Sequence, residues 1–335
     1  LKDKIKFINK VIFVKTNIVK SIFFTMYFLL KGKPLQVGYF FSQKMKEEIK
    51  KIHKNYDSII FHLIRGSEFL PKDYKGKKIL EMTDLISNNY AQTYKSLHLL
   101  NPLKYLYFLE YILLKKYEKK IQRFFDHIVL VSKKDIQPFL IRKKVKVIPN
   151  GTNIKKKLFK YNENNNDVVF IGNINYLPNK IACYKFIKTI MPKLKDKGLN
   201  INFKIIGQTS VFLKFLLNRF ENVEVFSNVK STEKFCKNAF CGICNINIAA
   251  GVQNKIFEYM RIGLPTITSE RCFNSSNFKK NKDILVYKNS KEFINQIIKL
   301  KTKKHLSNKI SRECYKKIKN KFTWDNSLKE YSKLI

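Results

Sequence analysis

The chain has 335 residues, a length that favours two domains of roughly 100 to 200 residues each. Hydrophobic residues make up 44% and aromatic residues 14%, which supplies normal cores and excludes a wholly disordered chain. The formal net charge of +42 points to an anionic partner, such as nucleic acid, a membrane surface or a phosphorylated substrate. An AT-rich coding sequence is an alternative explanation of this charge. Of the 67 basic residues 60 are lysine, and Asn and Ile are abundant as well, as such a sequence would produce.

Nucleic acid is the weakest of these partners. The chain contains seven arginines, and it lacks a zinc-finger pattern, an RNP-like aromatic run and an arginine-rich patch. We therefore expect no nucleic-acid partner, and a basic nucleic-acid-binding module stays a remote alternative.

The first predicted element is the apolar segment SIFFTMYFLL (21–30), which is flanked by Lys20 and Lys31. It is too short to span a membrane. It suits either a helix packed in the core or between domains, or a helix lying on an anionic membrane surface. Because the chain begins with Leu and opens on a helical pattern, we expect its natural start to be missing.

From residue 56 onward, short β-branched runs alternate with amphipathic helices. In the first half the predicted strands are 58–62, 78–82, 127–132 and 145–149, with a long basic and aromatic helix at 102–125. In the second half the predicted strands are 168–172, 201–207, 223–226, 241–249, 264–268 and 283–287, with helices near 178–195, 210–219 and 231–238, one after residue 252 and more to the end.

Strands separated by helices of this length predict right-handed βαβ crossovers and parallel sheets. The expected fold class is therefore α/β, with two Rossmann-like, doubly wound domains facing a cleft that holds any ligand. The predicted limits are an N-terminal domain at 1–150, a polar linker at 151–167, a C-terminal domain at 168–320 and a terminal helix at 321–335.

Six cysteines lie mostly inside apolar segments, which suits a reducing cytoplasm better than a secreted disulfide scaffold. The pair Cys241 and Cys244 has the spacing of a redox or zinc motif. It runs directly into a strand-like segment without a following helix, so we predict buried strand cysteines, with a redox pair or zinc site as the alternative.

The stretch AAGVQNKIFEYMRIGLPTIT (249–268) predicts a helix whose free N–H groups face the ligand end of the sheet. Gly251 and Val252 open the turn, followed by Gln253 and Asn254, and these four are predicted to bind a donor diphosphate. Lys255 adds a positive charge for the same anion, and Glu258 is placed to accept hydrogen bonds from a ribose diol. The alternative is an i,i+3 salt bridge between Lys255 and Glu258 on a solvated face.

A second turn suited to phosphate is FIGNINYLPN (170–179), in which Gly172 and Asn173 follow a predicted strand and precede another helix. The dinucleotide fingerprint, the P-loop, H-E-x-x-H and G-x-S-x-G are all absent, and so is an Asp-x-Asp. No metal site is therefore predicted. In the N-terminal half, His62, Arg65 and Asp84 follow predicted strands, so we place them as candidates on the acceptor side.

Together, DSIIFHLIRGSEFL, VIPNGT, VVFIGNINYLPN, FKIIGQ and GVQNKIFEYMRIGLPTITS resemble glycosyltransferase family 4, within it the bacterial sugar transferases of surface-polysaccharide type. The resemblance covers most of the chain and is strongest from 145 to 270. It implies a GT-B fold without the first strand and its glycine-rich loop, a nucleotide-sugar donor in the C-terminal domain and an acceptor in the N-terminal domain. It also implies metal-independent transfer, without a cofactor, that retains the anomeric configuration.

The resemblance extends to single residues. Glu258 matches the glutamate that holds the nucleotide ribose, Lys255 and Gly172 lie where phosphate contacts are expected, and His62 resembles the histidine near the transferred sugar. By the same resemblance, His62, Glu258 and Lys255 form the catalytic set. Two positions depart from the family: Ala250 stands eight before Glu258, where a second glutamate is usual, and Asn173 stands where a basic residue often lies.

The expected function is transfer of a sugar from a nucleotide-diphosphate sugar to a glycan or lipid-linked acceptor in cell-surface polysaccharide synthesis. The expected location is the cytoplasm, peripheral on the inner face of the cell membrane. The alternative is an inactive or truncated protein that binds a nucleotide sugar without transferring it. The terminal segment FTWDNSLKEYSKLI (322–335) resembles the helix that crosses back onto the N-terminal domain, although plain C-terminal capping explains it as well.

Overall fold

A computed structural model describes residues 8–246, 253–274 and 278–335. The chain divides into two compact units. Unit 1 consists of Leu1–Val129, Pro138–Lys146 and Leu334–Ile335, and unit 2 consists of Leu130–Gln137 and Val147–Lys333. The domain limits given above, including a terminal helix that crosses back, stay predictions.

Unit 1 is built around a four-stranded sheet with the strands in the order β1-β2-β3-β4. β1 and β2 pair in parallel, with His62 opposite Glu81 at their carboxyl ends. The elements are α1 (Ile18–Leu30), α2 (Leu35–Tyr39), α3 (Gln43–Ile52), β1 (Ser58–His62), β2 (Lys77–Thr83), α4 (Ile86–Ser96), α5 (Pro102–Ile121), β3 (His127–Leu130) and β4 (Val145–Val147).

The longest helix of this unit, α5, has a well-defined start. The Asn101 side chain accepts a hydrogen bond from the Leu103 N–H, and Pro102 occupies the first turn, where its missing N–H costs nothing. Its buried side is carried by residues such as Leu114 and Tyr117, whereas its first two turns keep several apolar side chains exposed. One end of the helix is therefore fixed in the core, and the other presents apolar surface to solvent.

Unit 2 is built around a six-stranded sheet in which every pairing is parallel, in the order β10-β9-β8-β5-β6-β7. The elements are β5 (Asp167–Ile171), α6 (Leu177–Lys185), α7 (Met191–Lys195), β6 (Asn202–Ile206), α8 (Val211–Asn218), β7 (Val223–Phe226), α9 (Glu233–Cys236), β8 (Ala239–Cys244), α10 (Asn254–Met260), β9 (Thr266–Ser269), α11 (Glu270–Asn274), β10 (Leu285–Tyr287), α12 (Ser290–Thr302), α13 (Lys304–Lys321) and α14 (Trp324–Ser332).

Tyr259 joins α10 to this sheet. The side chain is fully buried, its hydroxyl accepts a hydrogen bond from the Ile171 N–H at 2.8 Å, and it donates one to the Ile243 carbonyl at 3.1 Å. The ring lies over Gly242, where an added Cβ would come within 2.5 Å of it. A glycine in the middle of β8 is thus explained by the close approach of the helix.

Most predicted strands lie within one or two residues of the observed ones, but the strand expected at 241–249 spans Ala239–Cys244. The helix expected to begin near residue 252 begins at Asn254. The helix expected at 178–195 is α6 and α7 joined by a π-helical turn over Phe186–Ile190. That turn lies just before Pro192, whose ring clashes with the carbonyl four residues earlier in an α-helix, so the hydrogen-bond register changes there.

The cysteine prediction is confirmed for Cys241 and Cys244, which are free and buried in β8. Burial raises the pKa of the Cys241 thiol well above its ordinary range, as expected for an inert structural cysteine. Within the described ranges, no helix has both the length and the apolar character needed to cross a membrane.

We expect Tyr259→Phe to lower the free energy of unfolding of unit 2 by about 1 to 3 kcal/mol, because the Ile171 N–H and the Ile243 carbonyl are then buried without this partner. Thermal unfolding and amide hydrogen exchange at Ile171 measure the change. The matched control is Tyr315→Phe, which removes a hydrogen bond to the Lys155 carbonyl at a partly exposed position where water replaces it. Equal effects of the two substitutions would contradict the role given to Tyr259.

Candidate active site

The sheet of unit 2 reverses its strand order between β5 and β8. Connections leave such a pair of strands toward opposite faces, so a crevice opens outside their carboxyl ends, and ligands bind there in open α/β sheets. β5 is followed by the Gly172 turn, and β8 precedes α10 in the chain. Both turns that the sequence predicted for anion binding therefore belong to this pair of strands.

The Gly172 turn is held by the side chain of Asn179, near the start of α6. Asn179 is buried, and its Nδ2 donates a hydrogen bond to the Asn173 carbonyl at 2.8 Å. A Cβ added at Gly172 would lie 3.0 Å from that same nitrogen, so a larger residue would displace the amide. The Asn173 side chain turns inward on its own loop, where it accepts a hydrogen bond from the Asn175 N–H.

Lys255 reaches the same turn from α10. Its Nζ donates a hydrogen bond to Oδ1 of Asn179 at 2.9 Å and lies 4.5 Å from the centre of the Phe170 ring. Burial lowers the pKa of the Lys255 amine, and the neighbouring cysteine thiols oppose that shift. One amide, Asn179, therefore links the lysine to the glycine turn.

Glu258 faces a different group. Its Oε2 accepts hydrogen bonds from Nε of Arg261 at 3.0 Å and from Nη2 at 2.8 Å, and Nη1 of the same arginine lies 3.1 Å from Glu233. The expected alternative, a salt bridge between Lys255 and Glu258, is therefore wrong. The two side chains have different partners: Lys255 contacts Asn179 beside the Gly172 turn, whereas Glu258 contacts Arg261.

Glu258 lines a pocket of about 360 Å³ within unit 2. The pocket is formed by the start of α10, the chain at 150–155 and Trp324 of α14. Asn254 belongs to it and accepts a hydrogen bond from Nδ2 of Asn150 at 3.1 Å. Gln253 immediately precedes α10, whereas Gly251 and Val252 lie outside the described residues.

In unit 1, the candidate residues occupy the carboxyl ends of β1 and β2. Nδ1 of His62 lies 2.7 Å from Oε2 of Glu81, its partner across the strands, and the imidazole is mostly exposed. A carboxylate in this position orients the ring. The other ring nitrogen is left to face solvent or a ligand.

Arg65 and Asp84 lie beside this strand end. The guanidinium of Arg65 stacks on the Phe40 ring at 4.3 Å, and burial raises the pKa of Asp84 to about 6. Leu63, which follows β1, and Thr83, the last residue of β2, have positive φ angles of 64° and 63°. Strained backbone of this kind is concentrated at functional sites, so two such residues at one sheet edge support a site there.

Residues 165–303 match the family described as glycosyl transferases group 1. No curated protein is detectably similar in sequence. Residues 165–303 are a group 1 glycosyltransferase domain.

Solved structures show that the fold around this glycosyltransferase domain is GT-B. TarM is 14% identical with a TM-score of 0.65, over 87% of this chain and 57% of its own length. HepE from Anabaena, in complex with UDP-glucose, is 13% identical with a TM-score of 0.63, over 86% of this chain and 80% of its own. WaaG, a glycosyltransferase involved in lipopolysaccharide biosynthesis, is 13% identical with a TM-score of 0.64, over 89% and 82%.

Sequence reasoning missed the polar residues that support the candidate site. Asn179 was visible only as an Asn after Pro at a helix start, and its contact with Lys255 joins positions 76 apart in the chain. Arg261 lies inside the stretch 249–268, but no role was predicted for it. Among the described residues, no group of three or more His, Cys, Asp or Glu side chains is clustered as a metal site would require.

We expect Asp84→Asn to stabilise the protein at pH 7.5 relative to wild type, with the gain disappearing as the pH falls toward 4. Asp84 titrates near its ordinary value of 3.8 when unfolded and at about 6 when folded, so its ionisation destabilises the folded state above pH 6. Thermal melts across this range measure the difference. Burial also raises the pKa of Glu118, to about 7. Glu118 is present in both the wild type and Asp84→Asn, so its contribution cancels in the difference between their stabilities.

The control substitution is Asp57→Asn, which changes an exposed carboxylate at the other end of β1. A pH-independent difference between Asp84→Asn and wild type would contradict the raised pKa.

Proposed function

We propose that this chain is a retaining glycosyltransferase that moves a sugar from a nucleotide-diphosphate sugar to a glycan or lipid-linked acceptor in cell-surface polysaccharide synthesis. The observation that carries the proposal is the hydrogen bond from buried Lys255 to Asn179, which fixes a cation beside the Gly172 turn at the strand-order reversal. A charge fixed in that position suits the diphosphate that such a reaction must release.

The donor is held by two separate groups in this proposal. Lys255 and the Gly172 turn contact the diphosphate. Glu258 binds the pentose diol through Oε1, since both hydrogen bonds from Arg261 go to Oε2. Arg261 orients Glu258, and Glu233 holds the same guanidinium from its other side.

The reaction depends on positioning and on charge stabilisation. The leaving diphosphate gains negative charge as the bond to the anomeric carbon breaks, and the Lys255 amine is preorganised to stabilise that charge without a metal ion. His62 and the buried Asp84 contribute to the acceptor side. HepE has been solved with UDP-glucose, which supports a uridine-diphosphate sugar as the first donor to test.

We expect Lys255→Met and Glu258→Gln each to lower kcat/KM for the donor by about 100-fold in assays containing EDTA. Lys255→Met keeps the apolar stem over the Phe170 ring and removes the positive charge. Glu258→Gln keeps the shape of the side chain and weakens its hydrogen bonds to the pentose diol. Release of the nucleoside diphosphate measures transfer.

The matched controls are Lys188→Met and Glu224→Gln, which alter a lysine and a glutamate of unit 2 that lie outside both groups of residues described here. The proposal would be contradicted if Lys255→Met or Glu258→Gln, shown by thermal melts to be folded, transferred sugar at the wild-type rate.

One departure from the family favours a second function, binding of a nucleotide sugar without transfer. Ala250 stands where a second glutamate is usual, so a contact to the donor sugar is missing from the sequence. A rise in melting temperature with one nucleotide sugar from a panel of UDP-, GDP-, ADP- and CMP-sugars, together with no transfer or donor hydrolysis, would establish this alternative.

We further propose that unit 1 rests on an anionic membrane surface at the inner face of the cell membrane, where a lipid-linked acceptor is found. One face of α1 is exposed and apolar and carries Val19, Ile22, Phe23, Met26 and Leu30, which are 55% to 86% exposed. Exposed apolar residues also occupy the first half of α5. Apolar helix faces flanked by lysines are typical of interfacial binding.

We expect Ile22→Ser combined with Phe23→Ser to lower flotation with phosphatidylglycerol vesicles several-fold, because the buried apolar area is lost. The matched control is Phe212→Ser with Phe215→Ser, which removes equally exposed apolar side chains from α8 in unit 2. Flotation that is indifferent to salt and to anionic lipid content, or equal losses in both double variants, would contradict the membrane proposal.

A further inference from the structure

Unit 1 contains a second cavity, away from the candidate residues at the carboxyl ends of its strands. Its volume is about 910 Å³. It is lined by Lys78 at the start of β2 and by Phe124 just before β3, so it lies at the amino end of the sheet. His62, at the carboxyl end of β1, lies at the opposite edge. The cavity is therefore separate from the proposed transfer site.

The lining of this cavity is strongly basic. Among the described residues it contains eight lysines against two carboxylates, Glu68 and Asp73. Both carboxylates already have partners. Glu68 forms a salt bridge with Lys33 at 2.7 Å and accepts a hydrogen bond from the Tyr117 hydroxyl at 2.6 Å. Asp73 lies 3.3 Å from Nε2 of His53. Neither is left to neutralise the other lysines.

Besides Lys31, which donates to the Tyr27 hydroxyl, five lysines of the lining have no carboxylate partner in the described part of the chain: Lys46, Lys50, Lys72, Lys116 and Lys120. All five are exposed and come from three different segments of the unit. Lysine is abundant throughout this chain, so number alone means little. The convergence of these lysines on one concave surface is informative, because like charges placed together repel one another unless a bound anion compensates for them.

The floor of the cavity is apolar and aromatic. It includes Phe69, Leu70, Tyr74 and Ile121, while Phe124 at its edge is 54% exposed. A purely ionic ligand would gain nothing from these side chains, whereas burying an apolar group against them is favourable by about 25 cal/mol per Å². The ligand that fits both features has a phosphate head and an apolar body.

The surroundings of the cavity support the same chemistry. Lys31 and Lys33, part of its lining, follow directly on α1, whose last residue Leu30 is 86% exposed. The exposed apolar face of α1 thus ends beside the basic lining. An apolar chain leaving the cavity here continues along a surface that is already apolar.

We propose that this cavity is a binding site for a phosphate or diphosphate group joined to an apolar chain. The site anchors the charged end of an amphiphile at the amino edge of the sheet in unit 1, away from the transfer site. Its use as an anchor for the lipid-linked acceptor rests on the proposed glycosyltransferase function. Binding itself does not, so the test is made without a nucleotide sugar.

The test uses the full chain and two double variants of α5. Lys116→Gln with Lys120→Gln removes two unpaired charges from the cavity, and Lys115→Gln with Lys119→Gln removes two charges from the same helix outside it. The probes are farnesyl diphosphate, inorganic pyrophosphate and phosphatidylglycerol vesicles. Calorimetry gives the affinity for the soluble probes, and flotation gives it for vesicles.

We expect the cavity variant to bind farnesyl diphosphate about tenfold more weakly, with the control variant within about twofold of wild type. Pyrophosphate is expected to bind more weakly than farnesyl diphosphate, because the apolar floor is then unused. A loss confined to vesicles would assign the phosphate to a membrane headgroup, and a loss with farnesyl diphosphate assigns it to a diphosphate-linked chain.

Equal behaviour of the two double variants with all probes would overturn the proposal, and so would tighter binding of pyrophosphate than of farnesyl diphosphate. Failure here is distinguishable from failure of the transferase proposal, because the melting-temperature shift with UDP depends on unit 2. That shift is expected to be the same in both double variants, which also confirms that they fold.

Discussion

The packing of Tyr259 between α10 and the sheet is the constraint on which the donor site depends. Its hydroxyl bridges the Ile171 N–H at the end of β5 and the Ile243 carbonyl in β8, so it joins the two strands at which the order reverses. Gly242 permits the ring to lie this close. Because Lys255 is one turn earlier on the same short helix, fixing Tyr259 also fixes where that amine lies.

A buried lysine next to a glycine turn is costly unless something compensates for its lost hydration. Here the compensation is partial: one hydrogen bond to Asn179, the face of the Phe170 ring and nearby polarisable thiols. An arriving diphosphate would complete it. A lysine preorganised in this way would therefore bind an anion more strongly than an exposed lysine does.

Unit 1 separates two kinds of chemistry between the two ends of one sheet. The carboxyl edge carries strained backbone at Leu63 and Thr83, an imidazole paired with a carboxylate, and a buried carboxyl group with a raised pKa. The amino edge carries converging lysines over an apolar floor. A carboxyl group whose pKa is raised toward neutrality suits a reacting hydroxyl, whereas unpaired charges suit a ligand that is bound and unchanged.

The sequence by itself determined the α/β class, most strands to within one or two residues, and the candidacy of Lys255, Glu258, Gly172 and His62, because hydrophobic periodicity and turn residues are local properties. Tertiary structure alone decided what those residues contact. The partners Asn179 and Glu81 come from other elements, and the alternative salt bridge between Lys255 and Glu258 is replaced by one between Glu258 and Arg261, three residues further along the chain. Contacts between residues distant in the chain depend on strand order and packing, which no local pattern encodes.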